Sequence, residues 1–397
     1  MTLPLYQSGS HALDDGHPPS KTAHLGLWFE RFYQGFTSNW NLETDAKAKA
    51  LIEKMKKDWI KAIAKQETPS KHLQRHAEQR QQLAKGIKAH YRVFETTSPF
   101  VTGVGLSHPV ENGMSWHPTL GAPYMSGAAV KGLLRAWVEE WMDFDSEQAR
   151  EALVIRWFGT AKNNEHNASA GELLFFDLLP TDKVTLACEV MTPHMGGWYE
   201  KGGQVTLSKD NPDKISVNDY ADKVPADWHS PVPIYFLVVR SGKFATLIGA
   251  RTPEAQAEVG QAMEELAKAL EWLGAGAKTA TGFGRMEESA ADAYEREQNQ
   301  AKEAKAQKMA ALTPAQQCLT EVQELMSADQ AKKHPSYKDS RTGNPIFEEA
   351  KKLKELATGM SEAEKAEAKA CLTAVFGYLG IDRNKAKAAK ELWSSLN

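Results

Sequence analysis

The apolar positions change period along the chain, and each change predicts an element. Trp28, Phe32 and Phe36 recur every four residues with Phe29 and Tyr33 beside them, a helix stripe that buries against the body. DAKAKALIEKMKKDWIKAIAK predicts an amphipathic helix with Leu51, Met55, Trp59 and Ile63 on one face and a solvated lysine face. From HYRVFETTS onward, period two enters and strands alternate with helices. GAAVKGLLRAWVEEWM predicts a helix capped by Ser126, with Val130, Leu133, Leu134, Trp137, Val138 and Trp141 as its apolar face. GELLFFDLL and KVTLACEVMT predict strands, and PIYFLVV and KFATLIGA, joined by Arg240-Ser241-Gly242, predict a hairpin. PEAQAEVGQAMEELAKALEWLG predicts a long helix between Pro253 and Gly274, and TGFGRME a last strand.

Reduced to essentials, residues 91–288 read β–α–β, extra strands, β–α–β, an α+β ferredoxin-like (RRM-like) order with insertions. Residues 1–90 form a loose tail followed by helices. The Pro/Gly-rich stretch 193–232 exceeds a plain connection and predicts a functional loop. From residue 289 to 397 the chain predicts a Glu/Lys/Ala/Gln-rich helical spacer and a small all-α extension. Its short helices open at Thr313-Pro314, at Asn344-Pro345, at the capping box of Ser361 and Glu364, and at Asp382.

Charge changes the picture more than composition does. The net charge is −3, but residues 1–90 carry +5, residues 91–290 carry −9 and residues 291–397 carry +1. A protein that wraps free nucleic acid alone shows a basic domain; here nucleic-acid contact in the middle segment is local or shared with partner subunits. No apolar run reaches the ~18 residues of a membrane helix, and the first residues lack the pattern of a signal peptide, so a cytoplasmic, membrane-free protein is expected. The scattered Cys188, Cys318 and Cys371 match no zinc or redox spacing, and no metal or cofactor is expected.

GAGAKTATGFGRM, residues 274–286, concentrates four glycines, a lysine and an arginine. It is neither a P-loop, because Ala277 separates Gly276 from Lys278, nor a dinucleotide loop, because Thr279 stands at the third glycine. Nucleotide loops precede a helix N-terminus; this loop follows a helix C-terminus, which repels anions. Two readings stand. The glycines cap a helix and turn tightly into a strand, with Gly274 as the cap. Alternatively, Gly276, Thr279, Gly282 and Gly284 let an extended phosphate backbone approach, with Lys278 and Arg285 as the cations.

These residues resemble the C-terminal glycine-rich signature of the RAMP superfamily, the repeat-associated RNA-binding proteins of CRISPR systems. GVGLSHPVENGMSWHPTLGAPYMSGAAVKGLLRAW resembles the family's loop and first helix. FGT, GELLFFDLLP, EVMTPH, ADWHSPVPIYFLVV and ALEWLGAGAKTATGFGR then follow in the order of the sixth Cmr-type subunit of type III-B effector complexes. The resemblance spans roughly residues 91–288 and departs at Ala128-Ala129, where the family favours serines. It implies a non-catalytic subunit that holds guide (CRISPR) RNA near its 3′ end, beside target RNA, for antiviral defence. Partners would be other RAMP subunits, including the nuclease backbone subunit, and a small helical subunit. Carried onto this chain, RNA contact falls to Ser126, Gly127, Lys131 and Arg135 and to the glycine loop, with His117 as a further candidate.

An endoribonuclease on the same fold needs a paired acid and base. His108, His117, His194, His229, Asp177 and Glu189 are the candidates, but loop histidines have many other uses. A third reading is a scaffold whose glycine loop meets only neighbouring subunits.

Overall fold

The computed structural model describes residues 24–33, 35–36, 42, 49–161, 168–202, 229 and 231–396. The chain divides into two compact units between Ala293 and Tyr294.

The first unit opens with helices α1 (Leu25–Arg31), α2 (Lys49–Ala64) and α3 (Ser70–Gly86). Strand β1 (His90–Thr96) leads into a long loop carrying the short strands β2 (Ser107–His108) and β3 (Glu111–Asn112). Helices α4 (Gly127–Glu140) and α5 (Glu147–Phe158) follow, then β4 (Gly159–Thr160), β5 (Ser169–Ala170), β6 (Leu173–Phe175) and β7 (Leu179–Pro180). Next come β8 (Thr185–Met191), α6 (Gly196–Lys201), β9 (Ile234–Ser241), β10 (Lys243–Ala250), α7 (Val259–Trp272) and β11 (Met286–Glu288).

The main sheet is antiparallel and ordered β11-β1-β10-β6, with β7 also on β10. Strand alternation in β1 divides its neighbours between two faces. Arg92 is 4% exposed and pairs with Glu264 of α7 and, at 3.5 Å, with Glu288 of β11. Tyr91, one position earlier, faces α3, where burial, outweighing the Arg80 charge, pushes its phenol up to about 12. Arg80 of α3 is buried and donates to the carbonyls of Ala245 at 3.1 Å and Asp177 at 2.6 Å, so α3 is riveted to the sheet. Burial brings that guanidinium down to about 10.

The expected hairpin does not form. β9 pairs with β8 over Leu186↔Val239 to Met191↔Ile234, while β10 pairs in the main sheet. The physical reason is that Gly242 hands the chain from one ladder to the other: its carbonyl accepts from Thr96 N at 3.1 Å and its amide donates to Thr96 Oγ1 at 3.0 Å. β9 is thereby freed to take Phe100 as a partner, with Phe100 N to Val239 O at 2.7 Å and the return bond at 2.9 Å.

Trp28, Phe29, Phe32 and Tyr33 are buried as expected, Trp28 stacking on Phe32 at 4.3 Å and Phe29 on His108 at 4.1 Å, but α1 ends at Arg31 and the half-buried Phe36 bridges to Leu42 instead of continuing the helix stripe. The buried face of α2 is instead Trp59, Ile60 and Ile63, with Trp59 against Trp28 and Tyr33, and Leu51 is exposed. GELLFFDLL breaks into β6 and β7, since Asp177 between them turns to the start of α4. Of the 193–232 stretch, residues 203–228 and 230 lie outside the described residues.

The second unit starts within α8 (Ala290–Ala310) and continues through α9 (Pro314–Gln330), α10 (Pro345–Leu356), α11 (Glu362–Leu379) and α12 (Lys387–Ser394). Capping boxes at Thr313 and Ser361 and an Asn344 cap open α9, α11 and α10. Asp382 does not cap α12: its carboxylate accepts from Asn384 N in the preceding turn, and α12 starts after Ala386. A separate core of Val322, Ile346, Phe347, Leu353, Leu372, Val375, Phe376 and Leu379 holds these helices together.

Asp329 anchors the loop after α9. It is 1% exposed and accepts from Lys332 Nζ (2.9 Å), Ser336 N (3.0 Å), Tyr337 N (2.8 Å) and Tyr378 Oη (2.8 Å). Burial alone would raise its pKa, but these donors outweigh it and hold the carboxyl well below the usual range. A depressed carboxylate contributes stability above the unfolded value of about 3.9, lost as pH falls through the lower folded value. Acid titration of the intact chain, followed by near-UV circular dichroism, is therefore expected to show an acid-unfolding limb below about pH 4 that Asp329→Asn flattens while lowering stability at neutral pH. An unchanged limb in that variant would show that the carboxylate does not anchor the loop.

Candidate functional site

The glycine loop is stitched to the segment that leaves β1. Thr97 N and Ser98 N donate to Arg285 O at 2.9 and 3.3 Å, and Arg285 N donates to Ser98 Oγ at 2.9 Å. Gly284 N donates to Pro99 O at 2.8 Å and Ala277 N to Val101 O at 2.7 Å. The connection from β1 to α4 and the connection from α7 to β11 thus lie edge to edge.

Each glycine has its own reason. Gly274, at φ +82°, ends α7 by donating to Ala269 O at 3.1 Å. A Cβ at Gly276 would overlap the Val101 carbonyl oxygen, and one at Gly284 the Ala275 carbonyl oxygen. Those two spaces are filled by the protein's own backbone. Gly282, at φ +89°, faces open space. Phe283 turns inward to Phe236 at 6.2 Å, and Lys278 Nζ lies 5.4 Å over the same ring. The amides of Thr279 and Ala280 open a short 3₁₀ turn and have no protein acceptor among the described residues.

The first turn of α4 sits nearby. Ser126 Oγ accepts from Ala129 N at 3.3 Å, and Gly127 N donates to the Asp177 carboxylate at 2.6 Å. A side chain on Gly127 would overlap the Phe175 carbonyl. Asp177 therefore already occupies the positive end of the helix, the place where a bound anion would otherwise gain most.

Between the two loops lies a groove of about 740 Å³, lined by Ser126, Ala129, Leu133, Tyr124, Trp272, Gly274, Gly276, Thr279 and Arg285. The Arg285 guanidinium is exposed and rests on Glu271 O at 3.2 Å, the C-terminal carbonyl face of α7. Trp272 is 61% exposed on the rim. Ser126, Gly276, Thr279 and Arg285 thus share one groove, with Lys278, Gly282 and Gly284 on the same loop. Lys131 and Arg135 do not line it. At ~100° per residue they fall on the other side of α4 from Ala129 and Leu133, and with Arg251 they line a second groove of about 540 Å³. Arg135 is paired there with Glu139 at 2.8 Å.

His117 stands one ring behind the groove, 5.3 Å from Tyr124. Its Nδ1 accepts from Thr119 N at 3.4 Å and Leu120 N at 3.3 Å, and burial lowers its pKa. His108 is also held: its Nε2 meets Phe29 O at 3.0 Å, its Nδ1 accepts from Val110 N at 3.2 Å, and burial lowers its pKa. Glu189 pairs with Arg240 at 3.1 Å, and His194 is exposed. Among the described residues no group of three or more His, Cys, Asp and Glu is arranged to hold a metal ion, and no helix is long and apolar enough to cross a membrane.

Trp272 and Tyr124 were not singled out from the pattern. Trp272 was discoverable: it lies ~240° around α7 from the buried Leu266, on the polar face, directly before the glycine loop. Tyr124 carries no comparable signal.

Residues 93–287 match the model of the RAMP superfamily. The chain is 28% identical over 251 residues to the CRISPR system Cmr subunit Cmr6 of Pyrococcus furiosus; the match covers 49% of this chain and 66%, just under two thirds, of that protein. The fold is also similar to a chain in a cryo-EM structure of the type III-B Cmr-beta complex bound to cognate target RNA, at 20% identity and TM-score 0.42, covering 67% of this chain and 86% of that one. The crystal structure of Cmr6 from Pyrococcus furiosus matches at 24% identity and TM-score 0.28, covering 51% of this chain and 98% of that one.

The glycine geometry predicts an ordering. Gly284→Ala adds a backbone collision to left-handed strain and is expected to cost about 1–3 kcal/mol; Gly282→Ala carries the strain alone, about 1–2 kcal/mol. Urea denaturation of both variants checks this, and equal losses would mean that the loop relaxes away from Ala275.

Proposed function

Because residues 93–287 belong to the RAMP superfamily, we propose that the chain is a Cmr6-like, non-catalytic subunit of a type III-B CRISPR ribonucleoprotein. Its RAMP domain is ferredoxin-like; the β–α–β–β–α–β order and the four-one-three-two strand arrangement support that assignment. Its groove holds the sugar–phosphate backbone of guide RNA near the 3′ end, and its other surfaces meet neighbouring RAMP subunits. The single observation that carries this reading is the juxtaposition of the β1–α4 and α7–β11 loops: Arg285, the donors of Thr279 and Ala280, Ser126 and the exposed Trp272 converge on one groove.

The chemistry suits a strand rather than a nucleotide. The groove offers the Arg285 cation, amides and hydroxyls along its lining and an indole on its rim, so phosphates are gripped and a base stacks without its edge being read. Base pairing is left to supply sequence. A non-catalytic role is supported by the histidines: both ring nitrogens of His108 and Nδ1 of His117 are engaged in holding loops.

Two expectations follow for fluorescence-anisotropy titrations of the purified chain with single-stranded RNA across a salt series. Arg285→Gln reduces the slope of log Kd against log salt by about 0.7. Trp272→Ala weakens binding by about 1–3 kcal/mol, one to two orders of magnitude in Kd, with the slope unchanged. RNA binding indifferent to both substitutions would remove the groove from the proposal, and cleavage of the RNA by the chain would remove the non-catalytic assignment.

A further inference from the structure

The second unit carries a polarised surface outside the RAMP match. Residues 331–343 and 380–387 hold seven Lys and Arg against Asp339 and Asp382, a net charge of +5, while the remainder of residues 294–397 sums to −3. The two segments are joined: Asp339 N donates to Tyr378 O at 3.1 Å and Arg341 N to Leu379 O at 2.8 Å. Gly380 packs beside Asp339, whose side-chain oxygen a Cβ there would reach at 3.1 Å. The basic residues of both loops therefore gather at one end of the helical unit.

This end is built rather than loose. The buried Asp329 gathers the amides of Ser336 and Tyr337, and Asn344 Nδ2 donates to Arg341 O at 2.6 Å. Asp339 and Arg341 hold left-handed backbone at φ 55° and 63°, a conformation that costs energy in non-glycine residues and persists only where its surroundings enforce it. Three of the cations have work within the unit: Lys332 on Asp329, Lys385 on Asp382 at 3.5 Å, and Arg383 over the Trp393 ring at 4.4 Å. Lys333, Lys338, Arg341 and Lys387 are exposed and take part in no ion pair among the described residues.

The surface also lacks what a protein interface needs. Neither loop exposes a large apolar side chain, so no aromatic or aliphatic anchor is available to form a desolvated centre. Unpaired cations on a rigid loop without an apolar anchor fit a polyanion. We propose that this end of the helical unit is a second, independent RNA-backbone contact, in which Lys333, Lys338, Arg341 and Lys387 neutralise phosphates without reading bases. The contact does not depend on the groove between the RAMP loops.

The test uses the full chain and a fluorescein-labelled single-stranded RNA in an anisotropy salt series. Changing the four cations to Gln is expected to lower the slope of log Kd against log salt by about 2–3 and to weaken binding. A charge-keeping variant with Lys333→Arg, Lys338→Arg and Lys387→Arg is expected to retain the wild-type slope, which guards against loss through misfolding. A slope unchanged in the Gln variant overturns the proposal; so does a chain that binds no RNA at all, which would also end the reading of the groove. Loss of a protein neighbour from the purified assembly with the RNA slope intact assigns the patch to an acidic protein surface and equally overturns it. A slope lowered by the Gln variant but untouched by Arg285→Gln supports the patch and refutes the groove.

Discussion

The arrangement rests on the seam between the glycine loop and the segment that leaves β1. Ala277 and Gly284 give their amides to Val101 and Pro99, and Arg285 accepts from the amides of Thr97 and Ser98 and donates its own to the Ser98 hydroxyl. A seam this close excludes side chains at Gly276 and Gly284, because each Cβ would overlap a carbonyl oxygen. The glycines are spent first on bringing two distant parts of the chain together. The groove beside Ser126 and Arg285 exists because that seam closes.

Electrostatics then limits how the groove attracts an anion. α7 ends at the loop, and its C-terminal carbonyls disfavour negative charge. The start of α4 is already met by the Asp177 carboxylate through Gly127 N. Neither helix dipole is free for the task. Attraction falls to Arg285, Lys278 and the few amides that the seam leaves over, a modest grip that matches a surface of net negative sequence charge. Under the proposed function, such a grip leaves room for neighbouring subunits to hold the same strand.

Much of this was legible in the sequence, and the failures have physical causes. The Ser126 cap, the Gly274 end of α7, the Thr313-Pro314 opening and the Ser361 capping box are local chemistry, and they stand as expected, whereas a 3₁₀ turn over Glu254–Glu258 follows Pro253 and α7 itself starts at Val259. The β9–β10 hairpin failed because strand partners are chosen by tertiary pairing: Gly242 bonds to Thr96, and β9 takes β8 and Phe100 instead. Leu51 matched the helix period of α2, but period does not say where along a helix its neighbours lie, and burial is found at Trp59, Ile60 and Ile63, where Trp28 and Tyr33 meet Trp59. Within the site, the loop residues were visible as composition. The separation of Lys131 and Arg135 from that loop was not, because i, i+4 spacing puts two residues on one helix face without saying which face meets the loop. Of the two readings open for the loop glycines, close approach at Gly284 is taken up by the chain's own Ala275 carbonyl.

The central claim is that the β1–α4 and α7–β11 loops form one RNA-facing groove. Ultraviolet crosslinking of the ribonucleoprotein purified around the full-length chain, followed by mass spectrometry of RNA-linked peptides, tests it most directly. Crosslinks at Tyr124, Trp272 and Lys278 are the predicted result. RNA-linked peptides from elsewhere in residues 93–287, with residues 124–126 and 272–285 unmodified, would contradict it.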